Sequence, residues 1–160
     1  MQNRLSTLVL GYGNSSYADD GLGTRAIAYL RSQDASDFPA DLLLLDGGTA
    51  VFELLSHIER CNRLVVVDAA HLAAEPGTVR CFLGIDMDRQ LGGARHTAHE
   101  VALRDILDVA RLQEVLPLER ALIGVQPKSL DFKVGLSPEV ERSLPLVRDK
   151  LLQLLRRGWS

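Results

Sequence analysis

The strongest constraint on the fold is an apolar run, Leu64-Val65-Val66-Val67, that stops at Asp68. No polar residue alternates with the leucine and the valines. Surface strands of antiparallel sheets alternate apolar and polar residues, whereas strands covered on both faces give continuous apolar runs. The run therefore predicts a central strand with helices packed on both faces of its sheet.

Further apolar runs alternate with helical patterns along the chain. The other predicted strands are residues 5–10, 41–46, 78–83 and 121–125. The predicted helices are residues 22–30, a segment whose apolar stripe is Val51, Leu54, Leu55 and Ile58, and residues 101–112. Residues 85–97 show no clear period and are predicted to be irregular. Pro138 is expected to open a last helix, with Ser137 as its N-cap and Pro145 as the site of a kink.

This order of elements is typical of an α/β fold. It predicts a three-layer sandwich in which a mostly parallel, twisted sheet of about five strands is flanked by helices. The short link between Ala69 and Thr78 allows an antiparallel neighbour in that sheet. A chain of 160 residues without an internal linker is expected to form one domain over residues 1–160.

Composition argues against nucleic-acid and membrane partners. The 18 basic and 21 acidic residues give a net charge of -3, which provides no field for a phosphate backbone. No apolar stretch approaches the roughly 20 residues of a membrane helix, and residues 1–10 have the pattern of a strand rather than a leader. Cys61 and Cys81 are too few for a disulfide framework and are predicted to be reduced and structural. A cytoplasmic location is expected.

Polar residues that follow the parallel strands are the candidates for chemistry, because such strands end at one edge of the sheet. Asp20, Asp46 and Asp68 follow the first three strands, and His99 precedes a helix. If these segments open on the same edge, Asp20, Asp68 and His99 converge. Two carboxylates and an imidazole would neutralise a divalent cation and leave coordination positions for water or substrate.

Each candidate also has a structural explanation. Asp20 precedes a helix, where aspartate commonly serves as N-cap. Asp46 is followed by two glycines and is expected to begin a tight turn, capping the next helix. A histidine is more often a hydrogen-bonded structural residue than a ligand, and His96 is chemically equivalent to His99. Asp68 is the hardest to explain structurally, since a carboxylate at the end of an apolar strand needs a compensating partner or ion.

Several familiar motifs are incomplete. Gly11 and Gly13 begin like a dinucleotide fingerprint, but Ser16 stands where the third glycine belongs. His99 begins like a zinc-protease helix, but Leu103 replaces the second histidine. A Gly-x-Ser-x-Gly elbow is absent from the sequence, so classical covalent hydrolysis has no visible nucleophile.

A set of short motifs nevertheless occurs in a characteristic order over nearly the whole chain. It comprises residues 10–14, 19–23, Asp46-Gly47-Gly48-Thr49-Ala50 with Glu53-Leu54-Leu55, residues 67–69 and 76–78, His99 with Leu103 and Asp105, and residues 124–127 and 135–138. Together these segments resemble the NiFe-hydrogenase maturation endopeptidases. The sequence departs from the family pattern after His99, where Ala102 replaces the usual glycine.

The resemblance implies an α/β intracellular endopeptidase. Its partner would be the precursor of a NiFe-hydrogenase large subunit, from which it removes a C-terminal extension after nickel insertion. Carried over by position, the metal-contacting and catalytic residues are Asp20, Asp68 and His99. Nickel would be supplied by the substrate, with other divalent metals able to substitute, and no further bound cofactor is expected.

Two alternatives remain at this point. A non-catalytic, nickel-checking maturation factor would use the same three residues without cleaving its client. A nucleotide-binding α/β domain would instead use the loop from Gly11 to Gly13.

Overall fold

A five-stranded sheet forms the centre of the computed structural model, which describes residues 5–48, 51–93, 98–157 and 159. The strands are β1 (Leu5–Gly11), β2 (Leu42–Asp46), β3 (Cys61–Ala69), β4 (Val79–Leu83) and β5 (Glu119–Val125). Their order is β2-β1-β3-β5-β4; only β4 runs antiparallel, against β5. The predicted mostly parallel sheet, with its antiparallel neighbour, is confirmed.

Helices cover both faces of this sheet. They are α1 (Leu22–Arg31), α2 (Val51–Glu59), α3 (Ile85–Leu91), α4 (Ala98–Leu112), α5 (Pro138–Glu141) and α6 (Leu144–Arg156). Leu64 and Val66 of β3 belong to one buried cluster with side chains of α2 and α4, whereas Val65 and Val67 belong to another with α1 and α6. The apolar run therefore contributes side chains to both cores, as expected of a central strand that is covered on both faces.

The expectation of an irregular segment at residues 85–97 is wrong for its first half. Residues 85–91 form α3, a short helix in which Met87 is the buried residue. One buried position in seven residues leaves too little apolar periodicity for detection from sequence. Residues 94–97 lie outside the described residues, and α4 begins at Ala98, earlier than predicted.

The last helix is divided rather than continuous. It is interrupted at residues 142–143, and Pro145 stands in the first turn of α6, where its missing N–H removes no helical hydrogen bond. The predicted stripe still packs inward, since Val140 and Val147 both lie in the α1 and α6 core. Ser137 precedes α5, but its side chain does not cap that helix.

Close packing of α1 against the end of β1 fixes the entrance to this helix. A Cβ atom on Gly23 would collide with the backbone of Tyr12, so only glycine permits this approach. The 3-10 turn Ala18–Gly21, which leads into α1, is thereby held over the carboxyl edge of the sheet. Within the described ranges, no helix is both long and apolar enough to cross a membrane.

Candidate functional site

Four parallel strands present their carboxyl ends at one edge of the sheet. In the register of the sheet, Gly11 of β1 lies beside Asp46 of β2 and Val67 of β3. Asp68 in turn lies beside Gly124 of β5. The polar residues that follow or end these strands therefore share one edge, as their positions in the sequence predicted.

Asp20 and Asp68 lie on either side of a single loop segment. Both residues are buried, with 4% and 2% of their surface exposed. A Cβ atom on Gly13, whose φ is +144°, would collide with the Asp20 carbonyl oxygen and would lie 3.5 Å from Asp68 Oδ1. The Asn14 N–H donates to the Asp20 backbone oxygen at 3.1 Å and to its Oδ2 at 3.2 Å. Asp68 therefore borders this segment at Gly13, and the Asp20 carboxylate borders it at Asn14.

The N-cap explanation of Asp20 does not match this geometry. Asp20 lies inside the 3-10 turn, and the residue that precedes α1 is Gly21, which makes no side-chain cap. The carboxylate instead accepts from the Asn14 N–H, six residues earlier in the chain. Asp20 is thus a loop-closing carboxylate at the edge of the sheet.

The start of α4 borders the same edge. A cavity of about 310 Å³ is lined by Asp68 of β3, by His71 and Gln90, and by Glu100 of α4. His99 precedes Glu100 in the first turn of α4, but its side chain lies outside the described part of the structure, as does His96. The helix that carries His99 therefore begins beside the cavity that Asp68 lines.

The described donors are carboxylates. No group of three His, Cys, Asp or Glu side chains suited to hold a metal ion occurs among residues whose positions are described. The third expected ligand, the His99 imidazole, falls outside that set. Carboxylate with imidazole is a donor combination that suits divalent transition metals, so the chemistry of the three residues fits such an ion.

Tyr12 adds a neutral hydroxyl group near the carboxylates. Burial raises the pKa of the Tyr12 hydroxyl, and the negative charge of Asp68 raises it further. The phenol therefore keeps its proton at neutral pH and remains a hydrogen-bond donor. Sequence reasoning did not identify Tyr12 as part of this environment.

Asp46 forms the predicted tight turn. Its Oδ1 accepts a hydrogen bond from the Gly48 N–H at 3.2 Å and another from the Thr24 hydroxyl at 3.1 Å. The second bond connects the end of β2 to α1. Any cap on α2 would involve residues 49–50, which lie outside the described residues.

Asp19 is a functional candidate that the sequence did not reveal. Its side chain is fully buried, and its carboxylate accepts four hydrogen bonds. The donors are the N–H groups of Lys128, Ser129 and Ser137, and the Ser137 hydroxyl. Asp19 thus fastens the loop after β5 to the 3-10 turn that carries Asp20. The pair of adjacent aspartates was the available signal, but it does not show which carboxylate faces the loop.

Neither cysteine has the properties of a nucleophile. Cys61 is buried in the α2 and α4 core, and this burial raises its pKa to about 11. Burial also raises the pKa of Cys81, and both cysteines are free. Both thiols are protonated at neutral pH, whereas thiol chemistry requires the thiolate.

Comparison with known proteins identifies the family. The family model described as hydrogenase maturation protease, HycI, matches residues 27–154, which include Asp68 and His99. The hydrogenase expression/formation protein HoxM of Azotobacter vinelandii is 35% identical over 153 residues, covering 94% of this chain and 73% of the relative. The hydrogenase 2 maturation protease of Escherichia coli K12 is 31% identical over 152 residues, covering 94% and 91%.

The fold gives the same result. The structure of the hydrogenase maturating endopeptidase HybD from E. coli superposes with a TM-score of 0.85 at 30% identity, covering 94% of this chain and 92% of that one. These relatives favour peptidase activity over the nucleotide-binding and non-catalytic alternatives. The chain belongs to the hydrogenase maturation proteases, and it is a peptidase.

Proposed function

We propose that this peptidase removes the C-terminal extension from the precursor of a NiFe-hydrogenase large subunit once nickel has been inserted. The main support is the pair of buried carboxylates, Asp20 and Asp68, held around Gly13 and Asn14. Burial of two acidic side chains in one place is costly unless they serve a cation or a polar partner. The cavity beside Asp68 provides space for the polypeptide that would carry the cation.

Nickel belongs to the substrate in this mechanism. Asp20, Asp68 and His99 would contact an ion that the precursor already holds, and this contact would place the scissile peptide in the cavity. Two carboxylates balance the charge of a divalent ion, while the imidazole adds a neutral donor. A bound divalent ion polarises a carbonyl or activates a water molecule, which permits cleavage without a nucleophilic side chain. Other divalent metals of similar ligand preference would substitute for nickel.

The decisive experiment uses purified nickel-loaded and nickel-free precursor, with intact mass as the readout. We expect the wild-type protein to shorten only the nickel-loaded precursor. Asp20→Asn, Asp68→Asn and His99→Ala should each reduce the rate at least about a hundredfold, because several kcal/mol of charge stabilisation are lost. Asp149→Asn, which changes an exposed carboxylate on α6, is the matched control and should retain full activity.

Two results would contradict this proposal separately. Full processing by both aspartate variants would refute the site, whereas equal cleavage of nickel-free precursor would refute the nickel requirement. Loss of activity in Asp149→Asn would show that removing any carboxylate from the protein lowers the rate, so that the effect is not specific to Asp20 and Asp68.

A second test addresses the nucleophile. Since burial keeps both thiols protonated, treatment with iodoacetamide at neutral pH should leave the processing rate within about twofold of the untreated protein. Inactivation that tracks alkylation of Cys61 or Cys81 by mass would indicate a cysteine mechanism instead. Two free cysteines also suit the reducing cytoplasm, which we propose as the location.

A further inference from the structure

We propose that the loop after β5 carries a docking surface for the folded body of the precursor, separate from the cavity that would receive its scissile segment. This inference rests on the proposed function for the identity of the partner. The docking surface consists of Leu130, Phe132 and Val134 of this loop, together with Tyr17, which precedes the 3-10 turn; all four side chains are exposed.

These neighbouring apolar side chains are largely exposed to solvent. Phe132 is 80% exposed and Val134 is 83% exposed, and the alternation 130, 132, 134 repeats at every second residue. The rings of Tyr17 and Phe132 pack edge to face with their centroids 5.5 Å apart. Contiguous apolar groups on a surface mark sites of interaction with other molecules.

The loop that displays them is held firmly rather than loosely. Asp19 accepts from Lys128 and Ser129 near the start of the loop and from Ser137 at its end. In the middle, the Ala18 N–H donates to the Lys133 carbonyl oxygen at 2.6 Å, and the Lys133 N–H donates to the Ser16 carbonyl oxygen. A surface fixed before binding loses little conformational entropy when a partner arrives.

The same contacts fix the docking surface relative to the candidate site. Ala18 and Asp19, which hold the loop, directly precede Asp20 in one 3-10 turn. A protein bound to the docking surface would therefore lie against the loop that is fastened to the turn carrying Asp20. The docking surface and the candidate site are thus positioned by the same turn.

A second cavity extends the docking surface. It has a volume of about 310 Å³ and lies between the loop and α1, with Ala18, Ala28, Val134 and Leu136 among its lining residues. Such an apolar cavity accepts an aliphatic or aromatic anchor from a protein partner. The charged groups at its margin, Arg25 and Glu141, are paired with each other at 2.9 Å. Apolar lining with balanced charge fits a folded protein, not a nucleic acid or an anionic membrane.

The test compares wild-type protein with the double variant Phe132→Ser, Val134→Ser. The matched control is Leu118→Ser, which changes a side chain that is 90% exposed just before β5, at the opposite end of that strand. For processing of nickel-loaded precursor, the double variant should raise KM at least about tenfold and leave kcat unchanged. Binding of uncleaved precursor to the Asp68→Asn protein should weaken by a similar factor when the two serine substitutions are added.

The possible outcomes separate docking from the proposed site. Unchanged KM and Kd, or an equal shift in Leu118→Ser, would overturn the docking surface. Self-association of the wild-type protein that the double variant abolishes would also overturn it, by assigning this face to a second copy of the chain. A KM shift in the double variant together with active Asp20→Asn and Asp68→Asn proteins would refute the site while supporting the docking surface.

Discussion

The 3-10 turn that carries Asp20 lies at the carboxyl edge of the sheet, whereas α3 begins beside the amino end of β5, where the Gly84 N–H donates to the Arg120 carbonyl oxygen, and its last turn lines the cavity. Different interactions hold these two elements. On the turn side, Asp19 is fully buried and accepts from neutral backbone and hydroxyl donors. On the α3 side, Asp88 is a quarter exposed and accepts from the charged Arg120 at 3.0 and 2.6 Å. Arg111 of α4 adds a further ion pair at 3.2 Å.

This difference determines how each side responds to its surroundings. Removing a buried carboxylate that accepts from several neutral donors lowers the stability of the fold strongly, because the donors remain buried without an acceptor. Partly exposed ion pairs contribute less and are screened by salt. The turn side is therefore a fixed part of the folded structure, whereas the α3 side depends on ionic conditions.

The largest effect is expected at Asp19. Asp19→Ala should lower the free energy of unfolding by about 3 kcal/mol or more, since four donors lose their acceptor at once. Urea denaturation measures this loss. Ser137→Ala, which removes one of the four donors, is the partial control and should cost about 1 kcal/mol. If the two variants were equally stable, the turn would not be held by its buried carboxylate.

A smaller effect is expected at Asp88. Asp88→Ala should lower the free energy of unfolding by about 1–2 kcal/mol, because the largely buried Arg120 loses its main acceptor. Raising the salt to about 1 M NaCl should reduce this difference, while the cost of Asp19→Ala should change little. Asp108→Ala, which breaks an exposed pair with Arg111, is the control and should cost less than about 0.5 kcal/mol. A salt dependence as strong for Asp19 as for Asp88 would remove the distinction between the two sides.

The sequence allowed prediction of those features that local pattern controls. The run from Leu64 to Val67 predicted a central strand because each of its residues enters a core. Because the run stops at Asp68, it also predicted that Asp68 lies at the carboxyl edge of the sheet. The existence of α3 could not be predicted in this way, since its single buried residue leaves no apolar stripe. The division of the last helix was also missed, because Val140 and Val147 stay on one face across the break.

The role of Asp19 was unpredictable for a different reason. Its donors are 109 to 118 residues away in the chain, so nothing near Asp19 indicates them. The pairing of Asp88 with Arg120 is likewise a product of packing, since it joins α3 to a strand 32 residues later. Long-range contacts of this kind arise from the fold, and local pattern does not encode them. That the elements carrying Asp20 and Asp68 meet at one edge was predictable only because parallel strands share a carboxyl edge.

The smallest effect concerns pH and isolates the charge on the α3 side. The Arg120 guanidinium, through its hydrogen bonds, holds the pKa of the Asp88 carboxyl below its usual value, although partial burial opposes this shift. A carboxyl whose pKa is lower in the folded state stabilises the fold above the unfolded pKa, about 3.9, and loses this contribution as pH falls through the folded pKa. The electrostatic part of the cost of Asp88→Ala should therefore be at most about 1 kcal/mol at neutral pH, since solvent screens the pair, and should disappear in the acid range. Urea denaturation of both proteins between about pH 3 and 7 measures this change. A cost that grew on acidification would mean that Asp88 is held by packing rather than by charge, and the contrast with Asp19 would then lose its physical basis.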